Sequence, residues 1–275
     1  MSEPPTAQAS LVSAVWKYRR AAYLSSDIAK CVEKFLSENP PSLRKDYADE
    51  GIETLVLVVP SPPFELSIAI GEYFHNLRGS LDHLTSAIVS KSTGKIDRRI
   101  GFPFHETRSQ LLNTRTKDAL YKAAPDVWDL IVDEFKPYRA HGPDGPSPPI
   151  GEEGLLWAIK ELNNQDKHRL IIPSLATAST SMDLWPGSLG NVFQITGSGE
   201  FVVGRGSYMP PQKVYYSDVV IDEPDITGAV KLVPFLEACT NLVARVGQSL
   251  KAHLFGENAP QVSYPAGERG GEGLL

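Results

Sequence analysis

Ile70, Phe74, Leu77, Leu81, Leu84 and Ile88 recur at three- and four-residue intervals. Over about residues 63 to 91 the chain can therefore bury one continuous apolar stripe only as a long helix. Such a helix needs other helices to cover its apolar side, and the chain offers them. Leu11, Val15, Tyr18, Ala22, Ile28, Val32 and Leu36 keep near-helical spacing until "ENPP" stops the pattern. Helical texture returns in "SQLLNTRTKDALYKAAPDVWDLIVDEF", from Leu155 to about Lys167, and in the last segment "GAVKLVPFLEACTNLVARVGQSLKAHLF", with Pro234 near its first turn.

The remaining elements read as strands. "ETLVLVV", residues 53 to 59, is β-rich and is cut by "PSPP", where Ser61 can cap the long helix with Pro62 at its first position. From Leu170 the chain becomes β-branched and punctuated by glycine, and "NVFQITGSGEFVVGRGS" suggests a hairpin turning at Gly197 to Gly199. The expected fold class is α+β: a predominantly helical bundle of about five helices with a small antiparallel sheet built mainly from residues 170 to 222. One domain is expected over residues 10 to 256, with disordered ends at 1–9 and 257–275. The Pro/Gly-rich stretch 136–154 reads as an excursion over the site.

Composition narrows the function classes. At 275 residues and 41% hydrophobic residues, one sizeable core is affordable, and a net charge of -6 argues against wrapping DNA by nonspecific phosphate neutralisation. The two cysteines, Cys31 and Cys239, both sit in apolar helical settings, which argues against a disulfide framework and for a reducing compartment. No stretch approaches the ~20 apolar residues that span a bilayer, so a cytoplasmic protein is expected, with no membrane partner.

The long helix also carries "HNLRGSLDHL", residues 75 to 84, which places His75, Arg78, Asp82 and His83 opposite the apolar stripe, with Asn76 and Gly79 nearby. A solvated helix face ordinarily carries Lys and Glu. Gly79 would let a backbone or ligand approach closely. In the second helix the apolar line through Leu155, Ile159 and Leu162 continues into Asn163 and Asp166, followed by Lys167 and His168. Buried polar groups need partners, and Arg78 is the natural one for Asp166. One reading makes this cluster a buried ion-pair network that locks two helices in a non-catalytic structural or interaction protein. A metal site could draw on His75, Asp82, His83, Asp166 and His168, but no HExxH spacing supports it, and neither a metal nor a cofactor is expected.

Arg78, four intervening residues and His83 resemble the Arg-x4-His motif of the HEPN superfamily, helical bundles that often act as metal-independent ribonucleases and often dimerise through the motif helix. The resemblance implies an RNA- or nucleotide-directed protein in which Arg78 steadies phosphate and His83 acts as acid or base, with a homodimer through the helix bearing Arg78. An imidazole suits that work because it titrates near neutrality. Arg98 and Arg99 stand at comparable spacing from His105, but the "GFPF" between them rules out a helix. Over residues 63 to 170, "HNLRGSLDHL", "FPF" and "DKHRLII" are also similar to a widespread set of bacterial proteins that share HNLRxxLDHL and DKHR, a set that implies no particular activity.

Overall fold

The computed structural model describes residues 7–47, 52–95, 97, 99–139, 154–171, 173–181, 195–196, 198–206 and 213–255. The expected tail 257–275 and most of the 136–154 excursion lie outside the described residues. The fold is α+β, mostly helical with two small antiparallel sheets. Helix α1 (Ala7–Glu38) runs against α2 (Phe64–Thr93) in the opposite sense. Ser80 donates to the Ala14 carbonyl at 2.9 Å, and Arg20 pairs with Glu72 at 3.1 Å further along.

The expected stripe of α2 is its buried face: Ile70, Phe74, Leu77 and Leu81 are fully enclosed. The helix begins two residues later than the Ser61/Pro62 reading required. Pro63 occupies the N-cap with no side-chain bond, so the entry is set by the fixed proline φ and not by a serine cap. It ends where Gly94 turns left-handed at φ 68 and returns its N–H to Ser90. Between α2 and the next long helix lie α3 (Arg108–Leu111), α4 (Arg115–Ala123), α5 (Pro125–Asp129) and a π-helical turn, Leu130–Phe135. Thr107 and Thr114 cap the first two through their side chains, and Pro125 starts the third, which divides the helical pattern of this region into short pieces.

Helix α6 (Leu155–Asp166) crosses α2, and α7 (Leu232–Phe255) closes the bundle. The Tyr73 hydroxyl, fully buried, donates to the Leu236 carbonyl at 2.6 Å and lies 2.9 Å from the Thr240 hydroxyl, pinning α2 to α7. Cys31 and Cys239 are both free thiols, and burial pushes the Cys239 thiol far up. Among the described residues no helix is long and apolar enough to cross a membrane.

The strands depart from the expected arrangement. One sheet, in order β1-β2-β5, joins β1 (Ser42–Tyr47) and β2 (Glu53–Val59) to β5 (Gly199–Gly206). The other, in order β4-β3-β6-β7, contains β3 (Pro173–Ser181), β4 (Ile195–Thr196), β6 (Lys213–Glu223) and β7 (Gly228–Lys231). β4 pairs with β3 while β5 pairs with β2, so the two strands expected to form a hairpin about Gly197 to Gly199 belong to different sheets and do not pair with each other. The apolar run of β2, with Leu57 opposite Phe201, is the better partner for β5. "GAVK" is likewise a strand, β7, paired with the end of β6, and α7 starts only at Leu232.

Candidate functional site

Arg78, Asp82 and His83 stand at i, i+4 and i+5 on α2 and share one partly buried arc. Asp82 holds down the loop that follows the helix. Its carboxylate accepts the Phe102 N–H at 2.8 Å, and a Cβ on Gly101 would fall 2.7 Å from the same oxygen, so only glycine lets the loop come this close. Burial raises the Asp82 pKa, partly offset by the Phe102 N–H and then by Arg78. Arg78 donates from Nη1 to the Asn164 side-chain oxygen at 2.6 Å. Its Nε is 3.8 Å from Asp82, and its guanidinium lies 5.9 Å from the Phe104 ring centroid, within cation–π range.

His83 sits beside α1. Burial holds its imidazole below the ordinary range, and the Lys17 charge adds to this while Asp82 opposes it. Gly79 makes room for Lys17: a Cβ there would meet Lys17 Cδ at 2.9 Å and Nζ at 3.2 Å. The approach that Gly79 permits is therefore made by a side chain of α1.

The loop brings a second histidine. His105 donates its backbone N–H to the Pro137 carbonyl at 3.1 Å and bridges to Tyr138, and Arg139 N–H reaches the Glu106 carbonyl at 3.3 Å. Its imidazole is also lowered, first by burial and then by Lys160, against Glu106. Arg78, Asp82, His83, Arg99, Phe104 and His105 all line one cleft of about 750 Å³. Arg99, exposed and paired with Asp97 at 3.2 Å, stands at its rim. Sequence reasoning set Arg99 and His105 aside because they cannot share a helix. They join the site because the Asp82 carboxylate folds their loop back over α2, and "FPF" was the only hint of it.

The Arg78–Asp166 pairing does not form. Asp166 lies beside Gly71, where a Cβ would collide with its carboxylate, and Gly71 is seven residues or about 10.5 Å along α2 from Arg78. That span exceeds an arginine's reach, so Arg78 takes Asn164 instead. Burial raises the Asp166 pKa, with His75 opposing. The other expected residues scatter. His75 is exposed, Asn76 donates to the Glu72 carbonyl at 2.8 Å within its own helix, and Asn163 is buried in the bundle. Lys167 and His168 are exposed just beyond α6. Among the described residues no three His, Cys, Asp or Glu side chains gather closely enough to hold a metal ion.

A second cleft, of about 410 Å³, adjoins the first. Arg78 on one side contacts Asn164 on the other, and His105 and Glu106 face the two clefts in turn. Compared with protein-family models, curated proteins and solved structures, the chain matches none.

The first cleft thus offers two cations for an anionic group and two imidazoles whose charged forms burial disfavours. Cations placed where charge develops, with titratable groups beside them, are what phosphoryl and acyl chemistry draws on.

Proposed function

We propose that this cleft binds RNA and cleaves it without a metal, in the manner the HEPN resemblance implies for Arg78 and His83. The observation that carries the reading is the convergence of Arg78, His83, Arg99 and His105 on one cleft in a chain whose net charge is -6. Arg78 and Arg99 offset phosphate charge. One imidazole takes the proton of the 2′-hydroxyl as its oxygen attacks the adjacent phosphorus. The 5′-oxygen leaves with a proton from the second imidazole, giving a 2′,3′-cyclic phosphate and a free 5′-hydroxyl. A single imidazole cannot accept and deliver a proton in the same step, which is why His105 matters beside His83.

Among the described residues of the cleft, contacts with other elements of the fold favour a packing role for Arg78 and Asp82. Arg78 bonds Asn164 and Asp82 bonds the Phe102 N–H, so each of them also holds the fold together. His83 takes no hydrogen bond among the described residues. Its replacement therefore separates chemistry from packing. His83→Ala should lower cleavage of single-stranded RNA in EDTA by about 10²-fold or more while the melting temperature stays near that of the parent protein. Loss of stability with no cleavage by the parent protein would leave packing as the role of the cluster.

A further inference from the structure

The second cleft holds a group that the first does not explain. Gln165, at the end of α6, lines it, and both polar atoms of its side-chain amide are shielded from water with no hydrogen-bond partner among the described residues. An amide left in that state is costly, because it has given up its bonds to water and received none in return. The side chain is poised to gain from any ligand that presents a donor and an acceptor side by side, and a rotamer change of the kind that commonly accompanies binding would bring it to the cleft.

The surroundings say which ligand. Glu106, Glu161 and Asp225 line the cleft together with Arg139 and His168, and Lys160 pairs with both glutamates, so the lining is partly neutralised but still acidic where its neighbour is cationic. Carboxylates accept from amino groups. The cleft also has a planar wall: the Arg139 guanidinium is held 5.2 Å from the centroid of the Trp157 ring, and the Trp157 indole N–H is fixed to Glu106 at 3.1 Å. Guanidinium planes and aromatic rings are the surfaces on which bases stack.

We infer that this cleft is a nucleobase subsite for adenine or cytosine, whose exocyclic amine stands beside a ring-nitrogen acceptor and matches the Gln165 amide. This rests on the reading of the first cleft as a phosphate site, since the Arg78–Asn164 contact joins the two and a nucleotide could bridge them. Glutamine and asparagine pair bidentately with adenine by the same complementarity.

Calorimetric titration of the full chain tests it, with adenosine 5′-monophosphate, uridine 5′-monophosphate, adenosine and ribose 5-phosphate as probes. The expected order is adenosine monophosphate tightest, with Gln165→Leu lowering its affinity about tenfold or more, toward that of ribose 5-phosphate. The same variant should melt no lower than the parent, because it removes an unpaired buried amide. If Gln165→Leu does lower the melting temperature, Gln165→Glu, which keeps the length and loses the donor, should still show the selective loss. Adenosine monophosphate that binds no tighter than ribose 5-phosphate, or equally well to the parent and Gln165→Leu, would overturn the inference and leave Gln165 serving an ordered water only. Adenosine binding that depends on Gln165 without any binding of ribose 5-phosphate would keep the base subsite and sink the phosphate reading. Ribose 5-phosphate binding that depends on Arg78, with no gain from the base, would do the reverse.

Discussion

The two clefts on either side of the Arg78–Asn164 contact differ in almost every physical respect. One is built in the middle of α2 and beneath a loop clamped by Asp82, and it gathers two arginines and two half-buried imidazoles. The other sits at the end of α6, where carboxylates and an unpaired amide surround an arginine held over Trp157. A net-acidic chain has thus segregated its charge within one neighbourhood. On the reading proposed above, the two faces of one helix crossing take the two unlike halves of a single ligand, an anion and a polar ring.

Arg78 belongs to the wall between the clefts, so its removal should have the widest effect. Arg78→Ala is expected to weaken binding in both clefts and to cost about 1–3 kcal/mol of stability, the usual loss for a hydrogen bond to a charged group. A buried ion pair broken on one side would cost about 3–5 kcal/mol. Thermal unfolding that reports the larger figure would mean that the ion pair with Asp82, at 3.8 Å, counts for more than the neutral Asn164 contact.

Asp82→Ala should disturb the first cleft alone. Without its carboxylate the Phe102 N–H loses its acceptor and the loop bearing His105 is released, at a cost of about 1–3 kcal/mol, with RNA cleavage lost and the second cleft's binding retained. Asp82→Asn keeps an acceptor oxygen and should do less harm. Chemical denaturation of both variants beside nucleotide titration would check the separation.

A pH series sharpens the contrast further. His83 and His105 are both lowered, chiefly by burial, with the Lys17 and Lys160 charges next. A histidine lowered on folding contributes stability above its unfolded value and loses it as pH falls through its folded one. The melting temperature should therefore drop on mild acidification, less so in a His83→Ala, His105→Ala double variant. Asp82 has the opposite sign: its pKa is raised, so its contribution is held below the ordinary carboxylate range and lost as pH rises through the folded value. Cleavage needs one neutral and one charged imidazole, and its rate should peak on the acid side of neutrality. The smallest effect is expected from Gly79→Ala, whose methyl only displaces the flexible end of Lys17; it should move the melting temperature little and leave cleavage intact.

Much of this was legible in the sequence where periodicity carries it. The apolar line of α2 fixed its buried face, and the bounds of α6 followed from Leu155, Ile159 and Leu162. β1 was missed because "SLRKDY" has no apolar pattern; its place depends on cross-strand charges, Lys45 with Glu53 and Arg44 with Glu200. The site was half legible. Residues on one helix could be read by their angular spacing, which put Arg78, Asp82 and His83 together. Nothing local says how far along α2 the end of α6 will fall, so Asp166 was taken for Asn164. His105 comes to the cleft because the Phe102 N–H of its loop bonds the Asp82 carboxylate and its own N–H bonds the Pro137 carbonyl, which no spacing rule registers.

The central claim is that His83 is kept for chemistry and not for packing. The most direct test is His83→Ala, assayed for cleavage of single-stranded RNA in EDTA and for thermal unfolding on the same preparation. The expected result is a rate lowered by about 10²-fold or more at an almost unchanged melting temperature. A parent protein that cleaves no RNA, or a variant that keeps the parent's rate, would contradict it.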